Sequence, residues 1–407
     1  MTDRAVLRPT QKATLDFVRG RRRSIVASDP GTGKTAPVIA AVDVPCLVLA
    51  PASLLINWRR EIETWRPWDR DQFEIVSYSD RDLRYREADD YATVVADEAH
   101  YLKNHEAKRT LEGCRLLHQA DKAVAVTGTL VPNRPIELWP LLYSLGFTDL
   151  SFMSFARHYA AAYTDDFGRW RTEGASNLSE LRDLLADHVI RFTKEEAIPE
   201  LPPKTWRVIS LDLPVDRREK DYSLADLRRL DDAVAFEAMS TILREHGTRK
   251  IPAAARYLEE VVLEEEDQVV VFYHHRDVGD GLEDALDHHS IVRVDGSTPL
   301  AARQEAVDAF QAGEARIFLG QIQAAGVGLT LTAARRVVMV EASWVPSVLD
   351  QGADRCHRIG SSGNVLIDVL TIHRSIDEAQ VRRAIEKKLK VIDPLVPSTS
   401  ADTFATT

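Results

Sequence analysis

The run Ser28-Asp29-Pro30-Gly31-Thr32-Gly33-Lys34-Thr35 has the residue types that grip a phosphate chain. Gly31 and Gly33 let backbone amides close around a β-phosphate, while Lys34 is long enough to reach the β- and γ-phosphates. The Thr35 hydroxyl is a ligand of the kind Mg²⁺ takes, and Asp29 and Thr32 belong to the same turn. Ser28 departs from the GxxxxGK[ST] pattern, standing where the first glycine is expected. Two adjacent carboxylates follow in Asp97-Glu98-Ala99-His100. In phosphoryl transfer such a pair divides the labour. Asp97 is expected to hold Mg²⁺, through water or one layer removed, and Glu98 to orient and help deprotonate the attacking water. The hydroxyls of Thr127 and Thr129, in Thr127-Gly128-Thr129, could sit beside the same phosphates and report nucleotide state. Near the C-terminus, Gln351-Gly352-Ala353-Asp354-Arg355-Cys356-His357-Arg358-Ile359-Gly360 places Arg355 and Arg358 three apart, on one face if that stretch is helical. Guanidinium charge arriving at a γ-phosphate is worth roughly 10³ to 10⁵ in rate where an arginine finger acts. ATP and Mg²⁺ are the cofactors this set calls for.

Residues with these roles must be gathered at the carboxyl edge of a parallel sheet. The strands for one are present. Short apolar, β-branched runs at residues 24–27, 46–50, 92–96 and 123–126 alternate with helical patterns, and the same grammar returns at 269–273, 290–294, 315–319, 337–340 and 365–370. Continuous rather than alternating apolar strands point to sheets covered on both faces. The fold class expected is therefore α/β, with two lobes built on parallel sheets. The phosphate loop follows the first run, and the acidic pair ends the third.

Between the two series, residues 138–145 and 177–190 carry helical periodicity, and Leu201-Pro202-Pro203 cannot sit inside a helix. The expected division is lobe 1 at 1–134, a helical insertion and linker at 135–202, and the start of lobe 2 with a helical insertion at 203–250. The body of lobe 2 occupies 251–395, and a frayed Ser/Thr/Ala-rich tail 396–407.

With 407 residues the chain exceeds what one hydrophobic core organises. Its 44% hydrophobic and 28% charged content, with 19 Gly and 18 Pro, excludes collagen-like, low-complexity and wholly disordered classes. A net charge of −11 requires any nucleic-acid binding to use local basic patches. Three cysteines without a CxxC pair indicate neither a disulfide framework nor a zinc site, which fits a reducing cytoplasm. No apolar run has membrane-spanning length, and the first residues lack an apolar signal segment.

Other candidates carry less. Arg19-Gly20-Arg21-Arg22-Arg23 could pair with phosphates, although such runs are more often solvated loops. The pairs His274-His275 and His288-His289 lack partner ligands at useful spacing, so no structural metal is expected. Cys356 has no recognised base. The spacing of Trp58, Trp65 and Trp68 fits a helix packing on its own lobe better than base stacking.

Taken in order, Leu7-Arg8-Pro9-Thr10-Gln11, the GTGKT loop, Ala50-Pro51-Ala52-Ser53-Leu54-Leu55-Ile56-Asn57-Trp58, DEAH, TGT, Asp295-Gly296-Ser297-Thr298 and QGADRCHRIG form a set. It resembles the Swi/Snf family of superfamily-two helicase-like ATPases, from about residue 7 to residue 370. The segments Val271-Phe272-Tyr273-His274-His275, Val294-Asp295-Gly296-Ser297-Thr298-Pro299 and Trp344-Val345-Pro346 look most like the annealing-helicase (HepA-related) branch. The resemblance implies two RecA-like lobes with ATP in the cleft, DNA across both, and movement along duplex or junction DNA. It further implies that Gln11 reads adenine, that Gly326 and Gly328 belong to the nucleotide site, and that Pro51, Ser53 and Asn57 lie near the DNA backbone. Thr127, Gly128, Asp295, Gly296, Gln323 and Trp344 are implied DNA-side positions.

Thr10, Leu130, Phe192, Gln321 and Gln323 depart from the family pattern, at positions that bear on DNA affinity and lobe coupling. The alternatives left open are a strand-separating DNA or RNA helicase and a non-hydrolysing, ATP-gated DNA clamp. A monomeric motor in a bacterial or phage-infected cytoplasm, targeted by a separate protein partner, is the expected setting.

Overall fold

The computed structural model describes residues 6–406 apart from 132, 167, 214–232, 326–328, 342, 344–345, 359–360, 362 and 388–403. The chain divides into two compact units, one running to Glu200 and the next starting at Leu201.

In the first unit, strands β1 (Arg23–Val26), β2 (Cys46–Ala50), β3 (Phe73–Ser77), β4 (Thr93–Asp97), β5 (Ala123–Val126) and β8 (Val189–Ile190) form a six-stranded sheet in the order β3-β2-β4-β5-β1-β8. All its pairings are parallel. A two-stranded hairpin, β6 (Tyr163–Thr164) with β7 (Trp170–Arg171), lies apart from it. Successive side chains of a strand point to opposite faces, and both faces are covered. Val26, Val48, Val95 and Val124 pack against helices α1 (Pro9–Arg19), α2 (Thr35–Ala41) and α3 (Leu55–Trp65). Their neighbours Ile25, Leu47, Val94 and Ala123 pack against α4 (Lys108–Gln119), α5 (Trp139–Ser144), α6 (Phe152–Tyr159) and α7 (Leu178–Ala186).

Two details differ from expectation. Residues 135–200 are part of this core rather than a separate insertion, because Leu138, Leu142, Phe155 and Leu181 are buried in it. The helical pattern expected through residue 190 stops at Ala186. Beyond it Val189 and Ile190 join the sheet, with the Ile25 amide donating to the His188 carbonyl and the Ala27 amide to that of Ile190.

The basic run is consumed locally. Arg23 donates from Nη1 and Nη2 to the carbonyls of Leu117, His118, Ala120 and Ser144, covering the open carbonyl ends of α4 and α5. Arg22 pairs with Asp121 at 2.7 Å, and the Arg21 guanidinium lies 3.8 Å from the Phe17 ring centroid. Arg23→Ala is therefore expected to destabilise the first unit by about 1–3 kcal/mol, since helix-end carbonyls lose a charged donor. A thermal melt checks this, and DNA affinity at fixed salt should stay unchanged.

The second unit holds β9 (Lys204–Leu211), β10 (Val269–Tyr273), β11 (Ile291–Val294), β12 (Ile317–Gln321), β13 (Arg336–Met339) and β14 (Val365–Ile372), all in parallel pairing. The order is β11-β12-β10-β13-β14-β9, and residues 404–406 of the expected tail pair beyond β9 as a further strand. β9 pairs with β14 over eight residues, so the chain enters this lobe directly as a strand. Asp368 on β14 is fully buried, and its charge is met by Arg207 at 2.8 Å and Arg336 at 2.6 Å. Each unit is thus an α/β layer structure of RecA-like type. Among the described residues no helix is long and apolar enough to cross a membrane.

Candidate nucleotide site

The phosphate loop joins the end of β1 to the start of α2. Gly31 and Gly33 have φ of 82° and 74°, a region that favours glycine, so the backbone there turns as a phosphate cradle requires. A Cβ on Gly33 would lie 2.6 Å from Gln11 Nε2. Gln11 is fixed at both ends of its amide. Its Oε1 accepts from the Arg8 backbone N–H at 2.9 Å, and its Nε2 donates to the Gly33 carbonyl at 2.9 Å. The adenine reader implied by the resemblance is therefore bonded to the phosphate loop itself.

Asp29 is engaged by the chain that follows β8. Its carboxylate accepts from Arg191 Nη2 at 3.0 Å and from the Lys194 amide at 3.2 Å, while its own amide donates to the Phe192 carbonyl. Ser28 also explains itself, because its hydroxyl accepts from the Phe192 amide at 3.1 Å. The chain after β8 braces the loop from behind, and Asp29 serves as the brace. Thr32 closes the turn by donating from its hydroxyl to the Asp29 carbonyl at 2.8 Å.

Asp97 ends β4 with 5% exposure. Its Oδ2 accepts from Trp58 Nε1 at 2.7 Å and its Oδ1 from the Glu98 amide at 2.9 Å. Burial and the adjacent Glu98 charge push its pKa up to about 6, against the opposing pull of the Trp58 bond and Lys34. A buried carboxylate beside a half-buried one suits a divalent cation, and the Asp97 and Thr35 oxygens are the ligands Mg²⁺ would take. Glu98 itself adopts a left-handed backbone, φ 47°, which costs a non-glycine residue about 1–2 kcal/mol. Its carboxylate lies 3.2 Å from His100 Nδ1, and that nitrogen lies 3.4 Å from the Thr127 hydroxyl.

Thr127, expected on the DNA side, is 1% exposed, and its hydroxyl donates to the Thr129 carbonyl at 2.9 Å. A Cβ on Gly128 would stand 2.7 Å from Pro30 and 3.3 Å from Lys34 Nζ. Burial removes Thr127 from any surface that could meet nucleic acid, and half-buried Gly128 packs closely against Pro30 and Lys34 of the phosphate loop. Leu130 lies in the core. Of the expected DNA contacts after β2, Pro51 is buried, Ser53 half-buried and Asn57 exposed.

Sequence reasoning missed Trp58 as a site residue. It is 1% exposed on α3, and its indole ties the helix that begins at Leu55 to the Asp97 carboxylate. Its position directly after Asn57, in a segment already singled out, was the available signal. Trp65 donates along the same helix to Glu61 at 3.0 Å, whereas Trp68 is 75% exposed on the short turn after it and does not pack as expected. Trp58→Phe is expected to raise the Mg²⁺ concentration for half-maximal nucleotide binding by about tenfold, the scale seen when a partner that orients a metal ligand is removed. A Mg²⁺ titration with a fluorescent ATP analogue measures it.

In the second unit, Arg355 is buried, donating to the Gln351 carbonyl at 3.0 Å, and Arg358 is half-buried, donating to the Asp354 carbonyl at 2.9 Å and to the Thr330 hydroxyl at 3.3 Å. Asp295 is also buried, its Oδ1 accepting from the Ser297 amide and hydroxyl, so it shapes a turn and leaves Gly296 exposed. Gln321 has a defined use. It accepts from the Gly296 amide and donates to the His274 carbonyl, each at 3.0 Å, linking the ends of β11, β12 and β10. Gln323 is exposed beside it. Gly326, Gly328 and Trp344 lie outside the described residues.

The sequence matches the SNF2-related domain over residues 72–241 and the helicase conserved C-terminal domain over residues 253–360. It is 30% identical to the mouse DNA annealing helicase and endonuclease ZRANB3 over 92% of this chain and 39% of that protein. The Bos taurus counterpart is 31% identical with the same coverage. The Drosophila melanogaster SWI/SNF-related matrix-associated actin-dependent regulator of chromatin subfamily A-like protein 1 is 29% identical over 91% of this chain and 54% of its own length. The chain thus spans about two fifths to a half of these curated relatives. The Sulfolobus solfataricus SWI2/SNF2 ATPase core in complex with dsDNA aligns at a TM-score of 0.42 and 20% identity over 98% of both chains.

Proposed function

This chain belongs to the SNF2-related, or Swi/Snf, family of helicase-like ATPases, and on that premise we propose that it hydrolyses ATP on binding DNA and uses the cycle to travel along or anneal duplex DNA. The observation that carries the reading is the first unit's constellation: a glycine-turned phosphate loop, Lys34, and a buried Asp97 beside a strained Glu98. The left-handed Glu98, linked through His100 to Thr127, is the kind of strained backbone that clusters at functional sites.

Loop amides and Lys34 hold the β- and γ-phosphates. Thr35 and Asp97 would hold Mg²⁺, which would supply neutralising charge to the phosphates. Glu98 orients a water and accepts its proton as the water oxygen bonds to the γ-phosphorus and the bond to the β-phosphate oxygen breaks, releasing ADP. Arg358 supplies charge to the leaving phosphoryl group, and Gln11 selects adenine. Nucleic-acid contact is assigned to exposed Asn57, Gly296 and Gln323 with Ser53, and the DNA is duplex or branched. We further assign a monomeric motor that takes its targeting from a protein partner.

Phosphate release measured with duplex, branched and single-stranded DNA and with RNA tests this reading. Duplex or branched DNA should stimulate turnover most, with log affinity falling linearly with log salt as counterions are displaced. Turnover indifferent to DNA, or stimulated only by RNA, would overturn it. A strand-displacement assay run alongside separates a translocase from a strand-separating helicase.

A further inference from the structure

We propose that Glu259, His288 and His289 form a site for one divalent transition-metal ion, with zinc the best match, in the second unit. The two histidines fall in the turn after the helix Arg276–Ala285 rather than in a strand, and their spacing alone gave no third ligand. The fold supplies it from Glu259. One carboxylate oxygen, Glu259 Oε1, lies 2.7 Å from His288 Nε2 and 3.8 Å from His289 Nε2, and the three ligand atoms are within 4.8 Å of one another. Around a four-coordinate zinc, bonds of about 2.0–2.1 Å place ligand atoms roughly 3.4 Å apart. Both observed separations are within an ångström of that value.

The second observation is His289 Nε2. It is shielded from solvent and has no hydrogen-bond partner among the described residues, since 3.8 Å is too long for one. Buried polar atoms are almost always satisfied, and the exceptions need a reason. An ion between His289 and Glu259 supplies one. Arg316 does not block the site, because its guanidinium is turned to the carbonyls of Leu263, Glu266 and Asp267.

The surroundings fit a cation. Glu259 sits on a π-helical turn, Leu258–Val262, a local irregularity often found at functional positions. The segment Leu258-Glu259-Glu260-Val261-Val262-Leu263-Glu264-Glu265-Glu266-Asp267 is rich in carboxylates. Asp287 adds a further carboxylate nearby, its Oδ1 3.7 Å from His288 Nδ1 and so too far to hydrogen-bond it. Two imidazoles and one carboxylate favour zinc or cobalt over magnesium, which prefers oxygen ligands. The other pair, His274-His275, contrasts with it. There Glu341 accepts from both backbone amides and from His275 Nδ1, so the donors are satisfied without an ion. An ion at Glu259 would pin the segment before β10 to the turn before β11.

The test uses the full chain, stripped with chelator and then titrated with Zn²⁺ by calorimetry and with Co²⁺ by visible absorption. One ion should bind per chain, Co²⁺ should give the intense band of four-coordinate geometry, and Zn²⁺ should raise the melting temperature. His289→Gln and Glu259→Gln should each weaken Zn²⁺ binding at least tenfold and abolish the thermal shift, with excess Mg²⁺ giving no competition. Absence of saturable Zn²⁺ binding by the parent overturns the proposal, as does parental affinity in both variants. Metal-free circular dichroism of the variants identifies a folding defect, and His288→Gln then repeats the comparison.

Discussion

Glu98→Gln is expected to lower ATP turnover by about 10² to 10⁴-fold while leaving ATP affinity within about twofold of the parent, the range that loss of a positioned general base produces. The amide keeps the size of the carboxylate and can still bond His100, so the left-handed turn at this residue survives. What disappears is the negative oxygen that takes a proton from water. Affinity is held by other atoms, the loop amides and Lys34, which the substitution does not touch. Single-turnover phosphate release beside equilibrium binding of a fluorescent analogue gives both numbers. Parental turnover in Glu98→Gln would remove the water-activating role and move it elsewhere on the sheet edge.

Arg358→Ala is expected to slow hydrolysis on the order of 10³-fold, again with little change in affinity, because guanidinium charge is needed most where the phosphoryl group is leaving. The structure separates this residue from its neighbour. Arg355 is 3% exposed and donates inward to a backbone carbonyl, so Arg355→Ala should instead lower the melting temperature of the second unit. Arg358 is half-buried with bonds to the Asp354 carbonyl and the Thr330 hydroxyl, so its removal should lower the melt less than removal of buried Arg355. If Arg358→Ala melts early and Arg355→Ala does not, the two roles are reversed.

The phosphate loop and the acidic pair could be read from the chain because each is local. A strand, a turn and a helix start lie within a dozen residues, and the chemistry follows from side-chain types at that junction. The nine apolar runs likewise became strands, since two-sided burial writes itself as a continuous apolar stretch. β3 was harder to read, because at the sheet edge only Phe73 and Val76 are buried. β8 has two residues and β9 mixes Lys204, Arg207 and Ser210 with its apolar positions, so neither stands out locally. The roles of Asp29, Trp58 and Glu259 were illegible for another reason: each depends on a partner far away in sequence, Arg191, Asp97 and His289 respectively. Thr127 shows the opposite error, a motif residue whose burial only the fold reveals.

The pairing of Val189 and Ile190 with β1 sets a limit on how this protein can be cut. A fragment ending at residue 134 would strip β1 of one neighbour and present its backbone amides and carbonyls as an open edge, the kind of border on which sheets of separate molecules grow together. A fragment ending at Glu200 keeps that border closed. During synthesis the same geometry leaves the strand that carries the nucleotide loop incompletely paired until some 160 further residues have left the ribosome, a period in which a holding chaperone would matter most.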